Sequence, residues 1–115
     1  MSTVSPTATD IVIRSEFASD PDMAEIVSMF VDEMPAKVEK LTQTFAAMQF
    51  DELRRIAHQL KGSSGGYGFL ELGKAAGRLE HCLMTHADGV ATGDPVTEIR
   101  GEFERLIDMC RRIRL

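Results

Sequence analysis

Asp20-Pro21 and Asp94-Pro95 each set a capping aspartate before a proline, and after each the apolar residues return every three or four positions. An aspartate carboxylate can accept the free N–H groups of a helix's first turn. Proline at the first helical position lacks a donor that the helix would leave unpaired anyway. Both dipeptides therefore read as helix starts. Met23, Ile26, Val27, Phe30, Val31 and Met34 follow the first, and Val96, Ile99, Phe103, Leu106, Cys110 and Ile113 follow the second. Between them lie three more stripes: Val38, Leu41, Phe45 and Met48 to about Gln49; Leu53, Ile56, Ala57 and Leu60; and Leu72, Ala76, Leu79 and Leu83. This spacing is the period of a single helix face. Nothing in the chain reads as a strand. Pro35 removes a backbone donor and clashes with the preceding turn, so it is expected to break or kink the first helix. The expected fold is all-α, an antiparallel up-down four-helix bundle with short connections. An additional N-terminal helix, Pro21 to Met34, is expected across one end.

The whole chain, at 115 residues, fits one domain, long enough for one core. Residues 1–10 are rich in Ser, Thr and Pro and read as a flexible lead-in, and residues 11–115 as the bundle. Ile11 to Ala18 suits either a short helix or an extended arm. The main helices are expected over about Phe50 to Gly65, Leu70 to Ala87 and from Pro95 onward, with a glycine-marked loop from Asp88 to Asp94. Arg111, Arg112 and Arg114 complement the dipole at the C-terminal end of the last helix. The formal net charge of −5 argues against nucleic acid as a partner. No apolar run approaches the ~20 residues of a membrane span, and Met1 to Asp10 lacks a signal-peptide pattern. A cytoplasmic location without membrane insertion is expected. Cys82 and Cys110 fit reduced thiols better than a disulfide framework.

One segment departs from the logic of a stable helix: Ala57-His58-Gln59-Leu60-Lys61-Gly62-Ser63-Ser64-Gly65-Gly66-Tyr67-Gly68-Phe69. Each glycine inside a helix costs ~1 kcal/mol relative to alanine. At about 100° per residue, His58 falls about 160° from Leu60, almost opposite the apolar stripe. Asp51, Arg54, Arg55, Gly62 and Gly65 cluster round it on the wet face, and Lys61 lies on the shoulder. A neutral imidazole is a competent nucleophile near pH 7, since its unperturbed pKa is ~6.5. It can carry a phosphoryl group as a phosphoramidate. Such transfer is mostly positioning and charge stabilisation. Lys61 could neutralise phosphoryl oxygens, and Arg54 and Arg55 could contact a partner. Gly62 and Gly65 would let a partner's active site approach. Ser63 and Ser64 lean inward and can bond carbonyls one turn back. The competing reading is a simply solvated histidine.

His58-Gln59-Leu60-Lys61-Gly62-Ser63-Ser64, followed by Gly68, resembles the signature of histidine-containing phosphotransfer (HPt) domains. Phe30-Val31-Asp32-Glu33-Met34-Pro35 resembles the segment before the second helix of many such domains, and Leu70 to Leu83 the helix that packs against the histidine helix. The likeness covers about residues 15 to 110. It implies that His58 is the phosphoacceptor, through Nε2, with Lys61 as its electrostatic helper and Gly62 as clearance for a response-regulator receiver domain. It also implies a phosphocarrier without kinase activity, whose partners are receiver domains and a sensor or hybrid histidine kinase. Mg²⁺ is expected only in the receiver, with no cofactor in this chain. The run Gly65-Gly66-Tyr67-Gly68 is richer in glycine than the family pattern and leaves the end of the histidine helix open. The alternative in a different class is a helical adaptor that docks a partner and carries no phosphate.

Other patterns are weaker. Gly62-Ser63-Ser64-Gly65-Gly66 matches G-x-S-x-G, but a helix precedes it where that motif needs a strand. Lys61-Gly62-Ser63 has the wrong order for a P-loop. A metal site would draw on His58, His81, His86 and Cys82. His81 and Cys82 are adjacent and point about 100° apart, and His81 to His86 is a poor step for helical ligands. No metal is assigned, and His81 and His86 are read as partly exposed polar residues. Gly73 and Gly77 are expected to let two helices pack closely. Met29 falls about 130° from its stripe and is a candidate for a docking patch, where methionine is adaptable.

Overall fold

The computed structural model describes residues 12–87 and 94–114. The lead-in at residues 1–10 and the loop residues 88–93 lie outside the described residues. Four helices carry the fold: α1 (Pro21–Ala46), α2 (Phe50–Gly66), α3 (Leu70–Ala87) and α4 (Pro95–Arg112). Both Asp-Pro signals act as expected. Asp20 accepts from the N–H of Asp22 and Asp94 from that of Val96. The Thr97 hydroxyl also donates to Asp94 at 2.8 Å, and that bond first, with the backbone N–H groups and His86, holds the Asp94 carboxyl below its usual range.

The separate N-terminal helix is not found. α1 runs unbroken for 26 residues with Pro35 inside it. Proline in a helix interior costs ~3 kcal/mol. Against this stand Val27, Phe30 and Met34 before it and Leu41 after it, all buried. Burying one large apolar side chain contributes ~1.5–3 kcal/mol, so a continuous helix that keeps both stripes on one core outweighs the lost hydrogen bond. Pro35 itself is exposed, and water can reach the carbonyl it leaves without a donor. Two residues of the expected stripes point outward instead, Ile26 at 44% exposed and Met48 at 57%. Met48 lies beyond the helix in the left-handed region, at φ 55°, where the chain turns into α2.

The core gathers Val27, Phe30, Met34 and Leu41 of α1, Leu53, Ala57 and Leu60 of α2, Leu72, Ala76, Leu79 and Leu83 of α3, and Ile99, Phe103, Leu106 and Cys110 of α4. Phe45 stacks on Phe103 with ring centroids 4.4 Å apart, joining α1 to α4. Both cysteines are free, and burial pushes the Cys110 thiol up to about 12.

The expectation of no strand fails at the two ends of the chain. Ile13–Arg14 (β1) pairs in parallel with Ile113–Arg114 (β2). Two residues are too short to show a period, so the sequence carries no signal for this pairing. Ile113 is 1% exposed and lies after the end of α4, not within it. Arg114 donates to the Arg111 carbonyl at 2.9 Å, closing the C-terminal end of α4 through a hydrogen bond. Ile11 to Ala18 resolves, over its described residues, as an extended arm leading into turns.

This arm clamps the turn between α2 and α3. Glu16 N–H donates to the Gly68 carbonyl at 2.9 Å. The buried Ser15 hydroxyl donates to the Tyr67 carbonyl at 2.6 Å and accepts from Phe17 N–H at 2.9 Å. Gly68 has φ +84°, and a Cβ there would strike Ser15 Oγ and come within 2.9 Å of Glu16 N. Left-handed backbone costs a non-glycine residue ~1–2 kcal/mol, and the clash with the arm adds to it. Gly68→Ala is therefore expected to lower the unfolding free energy by about 2–3 kcal/mol, as measured by urea denaturation.

Candidate functional site

α2 and α3 meet at positions equally distant from Phe69. Gly65 N lies 3.7 Å from the place of a Cβ on Gly73, and the Lys61 carbonyl lies 3.2 Å from it. Ser64 is fully buried beside Gly73, with Cβ 3.7 Å from that point. Ser63 Oγ reaches the Leu60 carbonyl only at 3.4 Å. The hydroxyl of Ser64 has no hydrogen-bond partner among the described residues. The backbone bond expected of Ser64 is thus not made, and its small size is what the packing uses. The close approach expected of Gly73 and Gly77 holds, but Gly77 does more than admit a helix. The aliphatic stem of Lys61 lies over it, with Cδ 3.3 Å from the place of a Cβ.

The next matched pair is His58 and Glu80. His58 Nδ1 lies 2.6 Å from Glu80 Oε2. Lys61 Nζ lies 3.6 Å from Glu80 Oε1. One carboxylate thus holds both the imidazole and the ammonium. The Glu80 side chain is 14% exposed, whereas that of His58 is 70% exposed and that of Lys61 56%. A carboxylate can only accept, so Nδ1 carries the proton and donates it. The lone pair is then on Nε2, and which nitrogen is free is set by the bond the other makes. The arrangement is an oriented, solvent-facing imidazole with a cation one turn away.

Asp51, Arg54, Arg55, His58, Glu80 and Met84 line one shallow depression. Arg54 and Arg55 are therefore gathered at the histidine, although Arg55 is also paired with Glu52. Above Gly62 and Gly65 there is open space: a Cβ on either would meet nothing within 4 Å. Helix α2 reaches Gly66, so both glycines lie inside it. Met29, 57% exposed, is not part of this depression. It sits with Ile26 in a second groove between α1 and α2, against Ser63 and Tyr67.

A family model described as Hpt domain matches residues 25–111. The chain belongs to the Hpt domain family. Hpt domains serve phosphotransfer in two-component signalling as phosphocarrier modules, not kinases, and in general work with response-regulator receivers and histidine kinases. No curated protein and no solved structure matches the chain. No helix among the described residues is long and apolar enough to cross a membrane. The clamp formed by Ser15 and Glu16 lies outside the matched stretch, yet it fixes the turn that closes this Hpt domain's histidine helix.

Two features of the site escaped the sequence reading. Glu80 stands far from His58 along the chain, and only the turn at Phe69 as a mirror point would have paired them. The second is a set of side chains away from His58. Cys82 and His86 on α3 lie with Glu98 of α4, their ligand atoms all within 4.8 Å of one another. Cys82 and His86 are four residues apart, a helical ligand spacing that neither His81–Cys82 nor His81–His86 has. His81 is exposed as expected, but the His86 side chain is only 6% exposed, with Nε2 2.7 Å from Glu98 Oε2. Burial, then the Glu102 and Glu98 carboxylates, push the Cys82 thiol up.

If Glu80 sets the tautomer, ¹⁵N chemical shifts should find His58 with its proton on Nδ1 in the wild type. In Glu80→Ala the proton should redistribute toward Nε2, and unchanged ring shifts would show that Glu80 does not choose the tautomer.

Proposed function

We propose that the chain relays phosphoryl groups through His58. The Nε2 lone pair would attack the phosphorus of an aspartyl phosphate on a receiver domain. The N–P bond forms as the P–O bond to the aspartate breaks, and the carboxylate leaves with the electron pair. The ring becomes cationic as it bonds to phosphorus, and its Nδ1 proton stays in the bond to Glu80. The Glu80 carboxylate then stabilises the positive ring, and Lys61 faces the phosphoryl oxygens. The reverse sequence returns the group to the aspartate of a second receiver. The receiver supplies Mg²⁺ and its own acidic pocket. A histidine kinase is the other natural donor.

The observation that carries this reading is the 2.6 Å contact between His58 Nδ1 and Glu80. An adaptor needs no fixed tautomer on an exposed ring, whereas a nucleophile does. Gly62, Gly65, Arg54 and Arg55 form the receiver's approach, the glycines by leaving space and the arginines by offering charge to an acidic partner. Ile26 and Met29 extend that contact as an apolar patch on the neighbouring helix. We also read the bundle as antiparallel and up-down. The short connections around Ala47 to Gln49 and Tyr67 to Phe69 support it, as does the meeting of positions equidistant from Phe69.

Phosphotransfer from a phosphorylated receiver tests this. The wild type should gain an acid-labile, alkali-stable phosphate, and His58→Gln should gain none. Glu80→Ala should remain folded and transfer about 10- to 100-fold more slowly, because a hydrogen bond to a charged group contributes ~1.5–3 kcal/mol. Equal labelling of wild type and His58→Gln would remove the histidine from the reaction. A wild type that binds a receiver but never gains the label would return the adaptor reading.

A further inference from the structure

We propose that Cys82, His86 and Glu98 form a binding site for a divalent transition-metal ion, with zinc the best fit. Cys82 and His86 stand one turn apart on one face of α3, and Glu98 stands in the first turn of α4. Three different elements of metal chemistry meet there: a thiol, an imidazole and a carboxylate. That mixture of S, N and O donors suits zinc, which binds all three. The three ligand atoms lie within 4.8 Å of one another. Round a tetrahedral zinc, with bonds of about 2.0–2.3 Å, they would lie roughly 3.3–3.6 Å apart. The adjustment is small, and the His86–Glu98 pair, now 2.7 Å apart, would open to receive the ion. Glu98 can supply it, since its side chain is 47% exposed while His86 is held at 6%.

The surroundings favour a cation. Glu102 follows Glu98 by one turn of α4, and both carboxylates act on the Cys82 sulfur. Cations near the site are already engaged with Glu102: Arg105 at 2.8 Å and Arg78 at 3.8 Å. No cation is paired with Glu98 among the described residues except His86 itself, if protonated. A metal would take the place of the proton that now joins His86 to Glu98. The Cys82 thiol would release its proton to solvent as the metal–sulfur bond forms. Cys82 and Glu98 line an open groove between α3 and α4 with Thr85 and Thr97. A fourth ligand, water or a small anion, can enter from that side. Such an ion would clip the last turn of α3 to the first turn of α4. His58 is no part of the set, so the site stands or falls independently of phosphotransfer.

The test uses the full chain, stripped with a chelator and titrated with Co²⁺ and then Zn²⁺. One Co²⁺ per chain should give the intense visible bands of tetrahedral cobalt and a thiolate charge-transfer band, both displaced by Zn²⁺. Cys82→Ser should lose the charge-transfer band. His86→Ala and Glu98→Gln should each weaken binding at least ~10-fold. His58→Gln and Cys110→Ser should bind as the wild type does. Glu98→Gln alters an exposed side chain and keeps the test valid if a helix variant fails to fold, as circular dichroism would reveal. Absence of the charge-transfer band in the wild type would overturn the proposal, as would its survival in Cys82→Ser. Undiminished affinity in a folded Glu98→Gln would also overturn it. The cluster would then be an ion pair beside a thiol.

Discussion

The close approach of α2 to α3 is the constraint on which the rest depends. It is made by what is missing. Gly73 has no side chain to hold off the Lys61 carbonyl, Gly77 leaves a floor for the Lys61 stem, and Ser64 is small enough to be fully enclosed. Ordinary helix pairs lie 8–10 Å apart, according to the side chains at the contact. At the near end of that range a glutamate on one helix can reach an imidazole on the other. The buried Ser64 hydroxyl, without a partner among the described residues, is the cost of this closeness. A desolvated polar group without a partner costs about 1–3 kcal/mol, which the burial of Leu60, Leu72, Ala76 and Leu79 in the core that α2 and α3 share offsets.

Reactivity and support are divided between the two helices. In the proposed relay the nucleophile must be exposed, because another protein has to reach it. An exposed side chain is free to rotate, and a freely rotating imidazole offers either nitrogen. Glu80 resolves this conflict from the neighbouring helix. It is largely shielded, so its bond to Nδ1 competes less with water than a surface pair would. It also stands between two cationic groups in the charged state of the ring. Charges of both signs meet at the site: Arg54 and Arg55 share the depression round His58 with Asp51 and Glu80, and Lys61 pairs with Glu80 from the side.

Much of this was legible because helices announce themselves periodically. The Asp-Pro caps, the stripes of α2 and α3 and the outward placement of His58 follow from spacing alone, and the glycines beside it make sense only if something must come close. What could not be read arises from contacts between distant segments. Pro35 has a strong local preference against helix, and it was overruled by side chains on either side that share one core. The pairing of Ile13–Arg14 with Ile113–Arg114 joins the ends of the chain through two residues each, too few for any pattern. Glu80 carries no local signal that sets it apart from the other charges of α3. Only the position of the turn at Phe69 distinguishes it from Glu71, which pairs locally with Lys74.

That turn links the two scales of the structure. Gly68 must adopt its left-handed conformation for α3 to fold back so soon after α2, and the arm at Ser15 and Glu16 fills the space a side chain would have taken. A looser turn would shift α3 along α2. A slip of one residue along a helix is 1.5 Å of rise and 100° of rotation. Glu80 would then leave His58, Gly77 would leave Lys61, and the apolar stripe of α3 would turn out of the core. Packing and the placement of the imidazole therefore require the same register, and that register rests on a clamp at the far end of the histidine helix.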